Sequence, residues 1–320
     1  MTDNTWPTVD TELIDDVTLY SAKLIIPVTG PVIIDGAVAI HGDRVVHVGK
    51  RRWVLKALKQ EMTAHGTIHE RHWDGVLTPG LINAHTHLQY SGMVQVGQGT
   101  YDRFRAWELA FNEVYAEAQK TQPWKQWAED GARQMVESGT TAAADIVTDL
   151  DAAGALASQG MHGIAYWEVM GWHNAEWMEK GRTELIRQLR RMNEEQLPNL
   201  GISPHAPYTL ESEPFVDLPD IARQLNMRLH IHLAETPLEA GTYPPVLTTY
   251  SAADWSDHDW ESYRQLKEVG KGASAIQFVD QLGSLGPDVH IAHGVWANGE
   301  DRRILRQRGV GVALCPRSNR

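Results

Sequence analysis

The sequence holds one cysteine, Cys315, and four phenylalanines in 320 residues. A single thiol cannot close an internal disulfide, so packing alone must hold the fold, and a reducing compartment, the cytoplasm, is the expected location. Positive charge is scarce. Lys and Arg number 29 against 41 Asp and Glu, a net charge of −12, and no basic cluster exceeds Lys50-Arg51-Arg52. That balance argues against a nucleic-acid partner. No apolar run approaches the roughly 18 residues that span a bilayer, so no membrane role is expected. The polar start Met1-Thr2-Asp3-Asn4-Thr5 does not suit a secretory signal. Fixed-period repeats and low-complexity tracts are missing as well, which excludes fibrous and solenoid classes.

Histidine and tryptophan, by contrast, are plentiful at 15 and 12 residues. Hydrophobic residues at 42% and charged residues at 22% suit a soluble globular chain. The length accommodates one large α/β domain, since barrels of that class need about 250 residues.

Residues 17–49 alternate β-rich runs with turns. Val17–Tyr20, Lys23–Pro27, Val32–Ile34, Ala37–His41 and Val45–Val48 read as strands, with Asp35-Gly36 and Gly42-Asp43 as turns, and a helix is expected over 51–64. After Pro79-Gly80 the pattern changes. Seven apolar runs, Leu81–Thr86, Thr140–Ile146, Gly163–Met170, Leu200–Pro204, Arg228–Leu233, Val289–His293 and Val310–Leu314, read as strands. Helical stretches are expected between them at Phe104–Gln119, Trp124–Ser138, Thr183–Glu195, Leu218–Asn226, Ser262–Lys267, Ala273–Leu282 and Asp301–Gln307. Strands that alternate with helices imply a parallel sheet with right-handed crossovers, here a (β/α)8-type barrel of which about seven units are present. The expected division is an N-terminal tail and β unit over 1–78 and the barrel over 79–320. Thr242–Asp259 reads as a loop insertion near the site.

Histidines fall at the ends of these strands. His85 and His87 close the first, two residues apart, and alternate residues of a strand share a face. His205 follows the fourth strand, His232 ends the fifth and His293 the sixth. The C-terminal face of a parallel barrel carries its active site, so these five side chains are expected to converge there. Neutral imidazoles suit a divalent ion, zinc foremost with iron(II) as alternative, which makes a bound water ionise near neutral pH. His230 shares the facing of His232 but lies deeper, as a packing or supporting group, and His290 faces away. Glu235, three residues beyond His232, is placed to move a proton between water and a leaving nitrogen. Asp145 and Glu168 lie in the second and third strands, with facing left open by the sequence. Trp107, Trp167, Trp172, Trp177 and Trp296 either stack on a planar substrate or pack the core, Trp296 having the best placement for a site role.

The runs Pro79-Gly80-Leu81-Ile82-Asn83-Ala84-His85-Thr86-His87-Leu88 and His232-Leu233-Ala234-Glu235-Thr236, together with His293, resemble the metal-dependent amidohydrolase superfamily across residues 17–320. Within it the chain looks like the branch that deaminates purine-type heterocycles, together with the chlorohydrolases. That resemblance implies a barrel plus a β-sandwich, with His85, His87 and His232 as ligands of one divalent ion. It implies Glu235 as proton shuttle, His293 as an orienting group and His205 as a substrate contact. The fourth strand has no Lys, so a single ion is favoured over a bridged pair. Hydrolysis of a non-peptide carbon–nitrogen bond in a small amino-heterocycle or adenine-type nucleoside follows. Chloride or cyclic-amide hydrolysis is the alternative, and a homodimer the default assembly.

Two departures matter. In Phe104-Arg105-Ala106-Trp107, Ala106 stands where S-adenosylhomocysteine-type deaminases are expected to carry a ribose-binding Glu. The run Cys315-Pro316-Arg317-Ser318-Asn319-Arg320 is similar to that of aminodeoxyfutalosine deaminases, in which Arg317 or Arg105 would pair with a substrate carboxylate. The resemblance also implies a further Asp ligand on an eighth strand, which is not reached by Arg320. The chain is therefore expected to be part of a longer protein, with an inactive metal-binding fragment as the alternative.

Overall fold

The computed structural model describes residues 13–318 apart from 103, 195, 196, 198, 242–265 and 267. The insertion expected at Thr242–Asp259 and nearly all of the helix expected at Ser262–Lys267 lie outside the described residues, as do Asn319 and Arg320. The chain divides into two compact units, Met1–Gly80 and Leu81–Arg320.

In the first unit, β1 (Ile14–Ile25), β2 (Ile33–His41), β3 (Arg44–Lys50) and β4 (Met62–Leu77) form one sheet in the order β3-β2-β1-β4. The two runs expected at Val17–Tyr20 and Lys23–Pro27 are one continuous strand, as are those at Val32–Ile34 and Ala37–His41. Helix Arg51–Glu61 packs Val54 and Leu58 against Val17, Leu19, Ala37 and Ala39. It stops at Glu61, before the expected residue 64, because β4 begins at Met62. β4 has no counterpart among the expected strands. Its residues are mostly polar and exposed, so apolar alternation does not mark it. Its order comes from parallel pairing with β1 and from side-chain ties across that pair: Ser21 donates to Glu70 at 2.6 Å and bonds His72 at 3.0 Å.

The second unit is a seven-stranded, all-parallel sheet in the order β11-β10-β9-β8-β7-β6-β5, curved into most of a barrel with helices between its strands. The strands are β5 (Leu81–Thr86), β6 (Thr140–Val147), β7 (His162–Val169), β8 (Leu200–Pro204), β9 (Arg228–Leu233), β10 (Val289–His293) and β11 (Gly311–Ala313). Four have the expected bounds, and the rest shift by a residue. Interior strands are short apolar runs buried on both faces, such as Leu229, Ile231 and Leu233 of β9.

The helix expected at Leu218–Asn226 runs instead over Ser212–Gln224, with Pro219 inside. Proline lacks the N–H that would bond the carbonyl four residues back, here that of Phe215. Ser284 donates its hydroxyl to that carbonyl, so the helix passes through the proline with no orphaned acceptor at Phe215. Helix Gly299–Arg308 starts on a reciprocal cap, Asn298 accepting from the backbone of Glu300 and Asp301, and ends at Gly309 with φ +70°. Among the described residues no helix is long and apolar enough to cross a membrane.

Candidate metal centre and active site

The strand ends bring five imidazoles together. Ring centroids of His85 and His87 lie 5.1 Å apart, His85 and His232 4.8 Å, His205 and His232 4.7 Å, and His232 and His293 5.5 Å. One ligand nitrogen from each of His85, His87 and His232 falls within 4.8 Å of the others.

Hydrogen bonds decide which nitrogens are available. His232 Nδ1 lies 3.2 Å from the His205 carbonyl oxygen, which can only accept, so Nδ1 carries the proton and Nε2 presents a lone pair. That Nε2 faces His87 Nε2 at 3.2 Å. Two nitrogens on one tetrahedral zinc stand about 3.3 Å apart, given Zn–N bonds of about 2.0–2.1 Å. His85 is held through Nδ1 on His230 Nε2 at 3.0 Å, in parallel rings 5.0 Å apart, which leaves its Nε2 for the shared position. His87 Nδ1 is buried with no hydrogen-bond partner among the described residues. This donor set fits a divalent ion. Glu168, His205 and His232 form a second cluster. There the His232 nitrogen that faces Glu168, at 3.9 Å, is the Nδ1 that donates to the His205 carbonyl, so that cluster fits an ion poorly.

Burial keeps the cluster neutral. It lowers His87 to about 4 and His205 and His230 to about 3, and it takes His85 and His232 well below their ordinary range. Uncharged imidazoles are the form that coordinates metal. Burial pushes the carboxyls the other way, Glu235 up to about 7 and Asp145 and Glu168 up to about 8.

Glu235 sits just past β9. It accepts from the Tyr208 hydroxyl at 3.2 Å, and its other oxygen lies 3.3 Å from His293 Nε2. Two non-glycine residues here have left-handed backbone, Ala234 at φ +54° and His293 at φ +80°. Such strain persists only where the surroundings over-determine it, and it gathers at functional sites. Asp145 is buried and accepts from the Leu88 backbone at 2.9 Å, which pins the chain just beyond His87. Glu168 is buried with Oε1 4.0 Å from His205 Nε2 and 3.9 Å from His232 Nδ1. Both acids left open by the sequence therefore face inward.

The other expected contacts are more dispersed. Trp107 lies between Phe104 and Phe111 at 5.4 and 5.5 Å with its ring tilted to both, Phe104 meets Tyr208 at 6.0 Å, and Tyr208 meets His205 at 5.5 Å. Trp107 is thus joined to the site through an aromatic row. Trp296 is tied by its backbone N–H to Ala234 O and is half exposed. Arg317 is exposed, and Arg105 bonds Glu108 at 2.7 Å, which competes with any substrate carboxylate. Trp177 is fully buried with its indole N–H on Asp217, a core role. Sequence reasoning missed Tyr208 and Glu239. Tyr208 follows His205 by three residues, and Thr236-x-x-Glu239 is a capping-box spacing.

Residues 76–243 match the amidohydrolase family model, and the chain belongs to that family. A 5-methylthioadenosine/S-adenosylhomocysteine deaminase from Thermococcus kodakarensis is 30% identical over 250 residues, 76% of this chain and 52% of the relative. Aminofutalosine deaminase from Helicobacter pylori, solved with methylthio-coformycin, superposes with a TM-score of 0.71 at 17% identity, covering 95% of this chain and 71% of that one. Atrazine chlorohydrolase from Arthrobacter aurescens TC1, solved with zinc, gives 0.69 at 17% identity, covering 92% and 64%. At those identities the two structures speak for the fold alone. The chain spans about half to three-fifths of the length of the curated relatives it matches.

Proposed function

We propose that the protein hydrolytically deaminates an adenine-type nucleoside in the cytoplasm, around one zinc ion held by His85, His87 and His232. The observation that carries this reading is Glu235, fixed between Tyr208 and His293 three residues beyond His232. The chemistry a bound zinc ion supplies is a water activated near neutral pH. Glu235, raised to about 7, can hold or release a proton at that pH. It takes one proton from the attacking water and passes it to the ring nitrogen as the carbon–oxygen bond forms and the carbon–nitrogen double bond opens. It then carries the remaining hydroxyl proton to the amino nitrogen, the carbon–nitrogen bond breaks, and ammonia leaves with the ring in its keto form. His293 orients Glu235 and the attacking oxygen. His205 bonds Thr209 through Nδ1 at 2.8 Å and so keeps Nε2 for the substrate. The row through Tyr208, Phe104 and Trp107 gives a planar ring its stacking surface. Trp296 and the exposed Arg317 take the far end of the substrate, Arg317 by pairing with a carboxylate.

The test is ammonia release by the zinc-loaded protein from 5′-methylthioadenosine, S-adenosylhomocysteine, 5′-deoxyadenosine and aminofutalosine. Turnover of at least one is expected. Silence across the panel, with zinc bound at one per chain, removes the reading. Chloride release from a chlorinated triazine would move it to a different leaving group.

A further inference from the structure

Glu235 is carried on a short turn, Ala234-Glu235-Thr236, just past β9, whose backbone is met from the β10 side at Ala234, the carbonyl accepting from Trp296 N–H at 2.9 Å. One side chain organises the whole turn. Glu239, fully buried, accepts from the backbone N–H of Ala234 through one oxygen at 2.9 Å. Its other oxygen accepts from the N–H of Glu235 and of Thr236, each at 2.9 Å, and from the Thr236 hydroxyl at 3.3 Å. All four partners are donors, and a carboxylate is the one side-chain group of this size that only accepts. The N–H groups belong to consecutive residues, so they converge on one point only while Ala234 holds its left-handed φ of +54°. The Glu239 carboxylate thus supports a strained conformation that would otherwise relax.

We propose that Glu239 is a positioning residue for the deamination: its carboxylate locks the Ala234–Thr236 turn and so holds the Glu235 carboxyl between Tyr208 and His293. The proposal rests on the deaminase reading above, and touches neither the zinc ligands nor the substrate. Replacing either oxygen by an amide sets N–H against N–H. Glu239→Gln, nearly the same shape, should therefore release the turn while leaving the core packed.

For Glu239→Gln, kcat for ammonia release is expected to fall about 100-fold, the scale set by misplacing a reacting group by about 1 Å. KM and bound zinc should stay within about twofold of the parent protein, a split that a general loss of structure does not give. Hydrogen exchange of the peptide spanning Ala234–Thr236 should quicken while β9 remains protected. Should Glu239→Gln not fold, Glu239→Asp, which keeps the charge but retracts it by one methylene, carries the same expectations. Unchanged kcat, or a fall in kcat matched by lost zinc, overturns the proposal. If the parent protein deaminates nothing, the deaminase reading fails by itself, and the exchange arm still judges the lock: unaltered exchange in the variant overturns it.

Discussion

The middle of the parallel sheet and its two edges are made of similar residues in different circumstances. β8, β9 and β10 are paired on both sides and bury nearly every side chain. β5 and β11 are the outer strands, and their apolar residues stand out, with Leu81 61% exposed, Ile82 75% and Leu314 76% just past β11. The candidate metal centre is split between these regions. His232 and His293 ride on the packed middle, His85 and His87 on an edge strand. Packing positions the first pair. Polar ties position the second: His85 on His230, His87 against His232, and the Leu88 backbone on Asp145. A functional strand can therefore be placed by its hydrogen bonds to the far side of the site when its own face is unfilled.

The largest expected effect lies on the packed side. Glu235→Gln should lower kcat for ammonia release by about 10²- to 10⁴-fold with zinc retained, the usual size of a general acid–base contribution. A variant within tenfold of the parent would take the proton relay away from Glu235. Stability should separate the regions next. Ile231→Ala, in the buried middle, is expected to cost about 2–5 kcal/mol. Ile82→Ala, on the edge, should change stability by about 0.5 kcal/mol or less. Urea titrations check both, and comparable losses would mean that β5 is packed after all.

A smaller effect tests the polar ties. Asp145→Ala removes the acceptor of Leu88 N–H and should weaken zinc binding by about 10- to 100-fold, as loss of supporting groups around a metal does. Zinc titration against a competing chelator measures this, and an unchanged affinity would show that His87 needs no such support. The smallest effect is in pH. Asp145 and Glu168 are raised to about 8 by burial and titrate near 4 in the unfolded chain. Between pH 7 and 8 they are mostly protonated when folded and ionised when unfolded, while the buried imidazoles are neutral when folded and mostly neutral when unfolded. Unfolding then releases protons, so stability falls as pH rises, by about 1 kcal/mol net from pH 7 to 8. The melting temperature of zinc-free protein should be lower at pH 8 than at pH 7. A flat or rising profile would contradict the buried, protonated carboxyls.

Much of the barrel was legible because its strands are short apolar runs, four of them with a histidine at the C-terminal end, and both signals survive without tertiary context. β4 was not legible, since its order comes from pairing with β1 and not from its own pattern. The start of the helix at Ser212 was hidden by Pro219, which orphans the Phe215 carbonyl that Ser284, 69 residues further along the chain, satisfies. The convergence of His85, His87, His205, His232 and His293 followed from strand ends alone. Tyr208, Glu168 and Glu239 did not, because a Tyr or Glu gains its role from what it faces, and facing is decided by strands distant in sequence.

The left-handed backbone at His293 constrains how this position can change by mutation. A single-nucleotide change in a histidine codon reaches Asn, Asp, Tyr, Gln, Arg, Leu or Pro. Only Asn and Asp tolerate a φ of +80° well, and proline forbids it. Most neighbouring alleles would thus impair the conformation of the chain as well as the imidazole, and the genetic route away from histidine narrows to two steps. Asparagine at this position is accordingly the allele that separates the two losses.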